Sequence, residues 1–194
     1  MELVFATNNP GKLSEVRQLL PSSIRLLSLR DIDCSEELPE TGRTLTDNAR
    51  QKATYIFEKY GMNCFADDTG LEVEALDGRP GVYSARFAGK QADPLENMQK
   101  LLIELKGITD RRARFRTVVA LIDSSGTHCF EGIVSGWISE TPRGGNGFGY
   151  DPVFLPEGSS LTFAEMTAEA KNAVSHRRMA IDGLVGFLRN RENR

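Results

Sequence analysis

The run Leu3-Val4-Phe5-Ala6-Thr7-Asn8-Asn9-Pro10-Gly11-Lys12 decides the fold class. Residues 3–6 are apolar in succession and read as a buried strand. Asn9 offers a helix cap and Pro10 suits the first helical position, so a helix is predicted from there to about Leu20. Outward from this start, residues 24–27 read as a second strand and residues 31–42 as an acidic loop. Residues 44–60 form a long predicted helix, because Leu45, Ala49, Ala53, Ile56, Phe57 and Tyr60 recur at helical spacing. Asn48 and Lys52 fall on that same apolar stripe, an unusual place for polar residues. Residues 65–66 and 71–75 read as strands, 94–105 as a helix, and 115–122 with 129–138 as two long paired strands. A glycine-rich loop at 144–149 leads to a short strand around Val153 and Phe154. Two helices close the chain. One follows Thr162, with a capping box completed by Glu165, and one follows Ser175, with Ile181, Leu184, Val185 and Leu188 on one face. Strands and helices interspersed in this way predict an α/β fold, a mixed sheet with helices on its faces.

With 194 residues the chain is expected to be a single domain, 1–194, large enough to bury a core without staples. A net charge of −3 argues against a protein that coats nucleic acid, and no nucleic-acid partner is expected. Arg177, Arg178, Arg189, Arg191 and Arg194 are the one basic concentration, and read as a solvated terminal helix. Cys34, Cys64 and Cys129 fit neither a disulfide framework nor a zinc pattern, and are expected to be reduced thiols. The first residues lack the basic region of a signal peptide, and no stretch reaches the roughly 20 apolar residues of a membrane helix. A soluble, cytoplasmic protein without a membrane partner is the expectation.

Four clusters bear on chemistry. In TNNPGK, residues 7–12, a strand enters a helix start, where free N–H groups and the helix dipole favour an anion. Lys12 sits in the first helical turn, where a cation is disfavoured unless an anion compensates. The spacing is not that of a Walker A loop. Glu40 and the adjacent Asp67-Asp68 form the second cluster. Neighbouring carboxylates repel, and a divalent cation is one remedy; a plain Asp-Asp-Thr-Gly turn is the alternative. Lys52 and Asn48 add to this cluster from the following helix. KNAVSHR, residues 171–177, places Lys171, His176 and Arg177 around another helix start. GGNGFGYDP, residues 144–152, resembles a dinucleotide fingerprint without the surrounding βαβ unit, and its Phe148 and Tyr150 offer aromatic faces to a base. Each cluster alone reads as well as a solvated helix end or a turn; together they point to a nucleotide polyphosphate.

The segments TNNPGK, ETGRTLTDNARQKA, FADDTGLEVEALDGRPGVYSARFAG, GGNGFGYDPVF and KNAVSHR, in this order, resemble the inosine triphosphate pyrophosphatase family over about residues 3–188. The resemblance implies an elongated two-lobed α/β fold with a long twisted mixed sheet flanked by helices, an active-site cleft between the lobes, a homodimer and Mg²⁺ dependence. It implies hydrolysis of non-standard purine nucleoside triphosphates (ITP, dITP, XTP) to the monophosphate and pyrophosphate. Asp68 matches the family's general base, and Glu40 with Asp68 its metal site. Thr7, Asn8, Asn9, Pro10, Gly11, Lys12, Thr69, Phe148, Gly149, Tyr150, Asp151, Lys171, His176 and Arg177 match nucleotide-contacting positions, and Lys52 a phosphate-facing lysine. Thr69 stands where serine is usual, Phe87 where tyrosine is common, Pro39 where a second acid often precedes Glu40, and Arg178 where glycine is frequent. Two other readings stay open: a pyrophosphatase for modified pyrimidines or nucleotides generally, and a non-catalytic nucleotide-binding module.

Overall fold

The structure, a computed structural model, describes residues 1–90 and 93–192; Arg194 lies outside the described residues. Seven strands are described: β1 (Glu2–Phe5), β2 (Arg25–Leu27), β3 (Cys64–Val73), β4 (Pro80–Gly81), β5 (Arg112–Asp123), β6 (Gly126–Ile138) and β7 (Phe154–Pro156). With them come five α-helices: α1 (Pro10–Leu19), α2 (Leu45–Tyr60), α3 (Pro94–Glu104), α4 (Ala168–Val174) and α5 (His176–Glu192). The strands belong to one mixed sheet in the order β2-β1-β3-β5-β6-β7, with β4 beside β3. β1 runs parallel to β2 and β3, while β4 and β7 are antiparallel to β3 and β6. The α/β class follows. The chain divides into two compact units, Met1–Asp68 with Thr117–Gly132 and Arg177–Arg194, and Thr69–Arg116 with Ile133–His176.

The first unit is built on the opening strand–helix pair. Asn9 caps α1 by accepting from the Lys12 amide at 3.0 Å, with Pro10 in the first helical position. Thr44 caps α2 in the same manner, accepting from Asp47, and Gly61 closes that helix at φ +64°, a left-handed conformation that favours glycine. Phe5 and Phe65, paired in register across β1 and β3, stack at 4.7 Å. Around them lie Leu3, Val16, Val119 and Leu121, with Ile181, Leu184, Val185 and Leu188 from α5. The apolar face read from the last helix is therefore a core face.

The second unit packs Leu71, Val73, Met98, Leu101, Phe115, Ile138, Tyr150, Phe154 and Phe163 into its own core. Here two expectations are corrected. Residues 64–73 form one continuous strand rather than two, so Asp67-Asp68-Thr69-Gly70 is not a turn. No helix begins at Thr162 either. Half of the capping box forms, because the Thr162 amide donates to Glu165 at 2.8 Å, but the Glu165 amide donates to the Thr162 carbonyl at 3.0 Å while the Thr162 hydroxyl is turned to the Arg143 carbonyl. The helix starts at Ala168 instead, capped by Thr167, whose hydroxyl accepts from Ala170.

Gly136 on β6 faces Pro156 on β7, and a Cβ at this position would lie 2.1 Å from the Leu155 carbonyl oxygen. Only glycine permits that approach. Gly136→Ala is expected to destabilise by about 1–3 kcal/mol through overpacking; a thermal melt identical to that of the parent would contradict the pairing.

Candidate functional site

In the first unit the chemistry gathers on β3. Asp67 is 1% exposed and Asp68 7%, in the middle of a strand where buried Cys64, Phe65 and Ala66 precede them and buried Gly70 and Leu71 follow half-buried Thr69. An ion so placed costs several kcal/mol unless it is paired and hydrogen-bonded. Lys12 Nζ, from the first turn of α1, stands 3.1 Å from Asp67 Oδ1. Arg177 Nε, from the first turn of α5, donates to Asp67 Oδ2 at 3.2 Å, and the same guanidinium pairs with Glu15 of α1. Lys52, 4% exposed on α2, donates to the Asp67 carbonyl oxygen at 2.8 Å and to Glu40 Oε1 at 2.5 Å, and its Nζ is 4.0 Å from Asp68 Oδ1. Asn48, one helical turn before Lys52, donates to Asp68 Oδ2 at 2.9 Å. The polar pair on the apolar stripe of α2 is thus explained by the two carboxylates it meets.

Adjacent acids acquire opposite properties here. Burial raises Asp67, but Lys12, Arg177 and Lys52 outweigh it and hold the carboxyl well below the usual range. For Asp68 burial prevails over Lys52, Lys12 and the Asn48 hydrogen bond, and pushes its pKa up. Lys12 is pushed down by its own burial, against the pull of Asp67. A carboxylate of raised pKa beside cations is suited to accept a proton. Glu40 and Asp68 also present oxygen donors around the same ammonium. Mg²⁺ takes that ligand type, needing only one or two carboxylates when phosphate oxygens and water complete its shell. Among the described residues no group of three or more His, Cys, Asp or Glu is placed to hold a metal by itself.

The TNNPGK turn adds backbone donors beside this cluster. Thr7 accepts from the Asn9 amide at 3.2 Å, and Asn8 reaches across to the acidic loop, donating to the Glu36 carbonyl and accepting from the Leu38 amide. Asn8, Asn9 and Pro10 remain exposed, whereas Thr7 and Gly11 are half-buried. A 770 Å³ cavity, lined by Thr7 to Pro10 together with Arg17 and Arg30, flanks the turn.

The second unit holds a separate cluster. Lys171 of α4, 6% exposed, donates to Asp151 Oδ2 at 2.7 Å and lies 5.0 Å from the centre of the Phe148 ring. Asp151 also accepts from the Phe148 amide at 2.7 Å, folding the glycine-rich loop back on itself. Gly147 has φ +75°, and a Cβ there would sit 2.1 Å from Asp151 Oδ2. His176, 4% exposed, stacks 4.8 Å from Phe115. Gly149, at φ +62°, turns the loop toward Tyr150, and Thr69 is half-buried on β3. Tyr150 departs from the expectation of an open aromatic face. It is 5% exposed within the core, its hydroxyl donates to the Ser84 carbonyl at 2.8 Å, and burial pushes its pKa up.

Of the departures from the family pattern, Arg178 is exposed and pairs with Asp182, and Phe87 lies under Lys100 at 4.5 Å. Asp67 and Asn48, read from the sequence as part of the acidic cluster but given no role by the resemblance, join the clusters above, and so does Glu15, which was not expected. Asn48 left a signal, a polar residue one turn before Lys52 on an apolar stripe; Glu15 left none.

The model of the Ham1 family matches residues 3–187. The chain belongs to the Ham1 family. Its relatives include the dITP/XTP pyrophosphatase of Flavobacterium psychrophilum, 51% identical over 98% of this chain and 100% of the relative. That of Porphyromonas gingivalis is 53% identical over 96% of this chain and 97% of its own length. The Staphylococcus aureus Ham1 protein structure superposes with a TM-score of 0.89 at 38% identity, covering 98% of this chain and 100% of that one.

The charge arrangement makes a stability prediction. Asp67→Ala removes the carboxylate that Lys12 and Arg177 share, at an expected cost of about 3–5 kcal/mol. Urea unfolding measures it, and a loss below about 1 kcal/mol, the value of a surface pair, would show that the buried ions are balanced otherwise.

Proposed function

We propose that the chain hydrolyses dITP, XTP and ITP to the nucleoside monophosphate and pyrophosphate, clearing non-standard purines from the nucleotide pool. One observation carries this reading: Lys52 stands 4.0 Å from a buried Asp68 of raised pKa and binds Glu40 with the same ammonium, while Lys12 pairs with the neighbouring Asp67. The names of the relatives support the substrate class.

In this reading Asp68 takes a proton from the water that attacks the α-phosphorus. Lys12 and Lys52 bind the polyphosphate oxygens, which replace carboxylate contacts with phosphate ones. The amides of the Thr7–Lys12 turn supply further donors at the positive end of α1. Glu40 and Asp68 are the residues that would hold Mg²⁺, and the bound ion supplies neutralisation of charge on the phosphate oxygens. Arg177, turned toward Asp67 and Glu15, orders the phosphate end by fixing the acid that faces Lys12.

The second unit's own cluster holds groups of the kind that read a purine base. Hypoxanthine and xanthine carry an acceptor oxygen at C6, where adenine carries an amino donor. Lys171 and His176 bring donors, and Phe148 an aromatic face. A site built to donate leaves its donor unpaired against adenine, which discriminates strongly. The resemblance also carries a homodimer and a cytoplasmic setting into this reading.

Two measurements test it. Asp68→Asn is expected to fold and to lose about 10²–10⁴-fold in kcat, the range of a general base; near-normal turnover removes Asp68 from that role. Pyrophosphate release from dITP, XTP, ITP, GTP, ATP and modified pyrimidine triphosphates, with and without Mg²⁺, is expected to favour the first three over ATP by roughly 10²-fold or more in kcat/KM. Equal values for ITP and ATP refute the selectivity, a pyrimidine preference favours the wider house-cleaning alternative, and nucleotide binding without pyrophosphate release leaves a binding module.

A further inference from the structure

Asn48 makes two contacts that tie separate parts of the first unit together. Its Nδ2 donates to Asp68 Oδ2 at 2.9 Å, and its Oδ1 accepts from the Gly42 amide at 2.8 Å. The chemistry of the partners fixes the amide's orientation, because a backbone N–H can only donate and an ionised carboxylate only accepts. The side chain is 1% exposed, its bond to Asp68 buried and its bond to Gly42 part-buried. Gly42 lies two residues beyond Glu40 on the acidic loop. A Cβ at position 42 would fall 2.5 Å from Asp47 Cβ and 2.8 Å from Asn48 Oδ1, so the loop approaches α2 this closely only with glycine there. One helical turn's edge away, Gln51 repeats the attachment in exposed form: it accepts from the Thr41 amide at 2.9 Å and donates to the Thr41 hydroxyl at 2.9 Å.

We infer that Asn48 is a positioning residue, a buried amide that holds the Asp68 carboxylate and the backbone of the Glu40 loop in one arrangement. The inference rests on the proposed role of Asp68. Asparagine alone meets both demands at this reach. Alanine loses both bonds. Aspartate keeps the acceptor toward Gly42 but sets a second carboxylate against Asp68, and glutamine displaces the amide by a methylene in a packed interior. Asn48 and Lys52 are four residues apart on α2, so the same helical face that presents the ammonium presents the amide that orients the base. A misplacement of about 1 Å at such a group costs on the order of 10²-fold in rate.

The test uses the full chain with Asn48→Asp, Asn48→Ala and Gly42→Ala. Steady-state kinetics on dITP are read beside the calorimetric affinity for a dITP analogue with a non-hydrolysable α,β-imido bridge, and beside amide hydrogen exchange of the segment 36–44. Asn48→Asp is expected to lower kcat by roughly 10²-fold, with analogue affinity within about threefold of the parent and loop exchange unchanged. Asn48→Ala is expected to lower kcat similarly and to speed exchange at Gly42. Gly42→Ala lies on the half-buried loop and carries the loop arm of the test if either Asn48 variant fails to fold; it is expected to speed loop exchange and lower kcat. If the parent enzyme turns over dITP while Asn48→Asp stays within threefold of it in kcat, or while Gly42→Ala leaves both exchange and kcat untouched, the inference is overturned. A parent that releases no pyrophosphate from any triphosphate instead overturns the proposed activity.

Discussion

Two carboxylates in the middle of a buried strand set the terms for the first unit. Asp67 and Asp68 interrupt a run of core residues on β3, where each unpaired ion would cost several kcal/mol. Their cations come from three different helices: Lys12 from α1, Lys52 from α2 and Arg177 from α5. None of those helices can leave the sheet without exposing a buried charge to an apolar surrounding, so the electrostatics of one strand hold the helices in place. The same arrangement separates the two acids. Asp67, enclosed by cations, stays ionised, whereas Asp68, with burial dominant, is pushed up toward the range of a proton acceptor.

The second unit meets a similar constraint with less charge. Lys171 is buried, and its ammonium is matched by Asp151 and by the faces of Phe148 and Phe163. Asp151 in turn fixes the glycine-rich loop through the Phe148 amide, and Gly147 is required because any side chain there would strike that carboxylate. Gly147 thus serves close packing around an acid, and Gly144 a close approach to the Ala164 backbone.

Each proposed role follows from how a side chain is held. A general base needs a raised pKa and a fixed direction; burial supplies the first, and the amide of Asn48 bears on the second. A phosphate-binding lysine needs a resting partner that phosphate can replace, and Asp67 is that partner for Lys12. The tie between Asn8 and the acidic loop brings the turn at residues 7–12 and the segment bearing Glu40 together, although more than 25 residues separate them in sequence.

Much was legible in the residues alone, because local signals carried it. The cap at Asn9, helical spacing along α2 and α5, and apolar runs for β1 and β5 each depend on neighbours a few positions away, and each element formed where those signals lay. The polar pair Asn48 and Lys52 was visible as an anomaly on an apolar stripe. What the sequence left open was decided by partners far along the chain. Whether Asp67-Asp68 turned or continued a strand depended on cations from residues 12, 52 and 177, and whether Tyr150 offered its ring to a ligand or to the core depended on Ser84. Local propensity spans about 1 kcal/mol per residue, while burying an uncompensated charge or polar group costs several times that. Where the two compete, only the folded arrangement of distant residues settles the outcome.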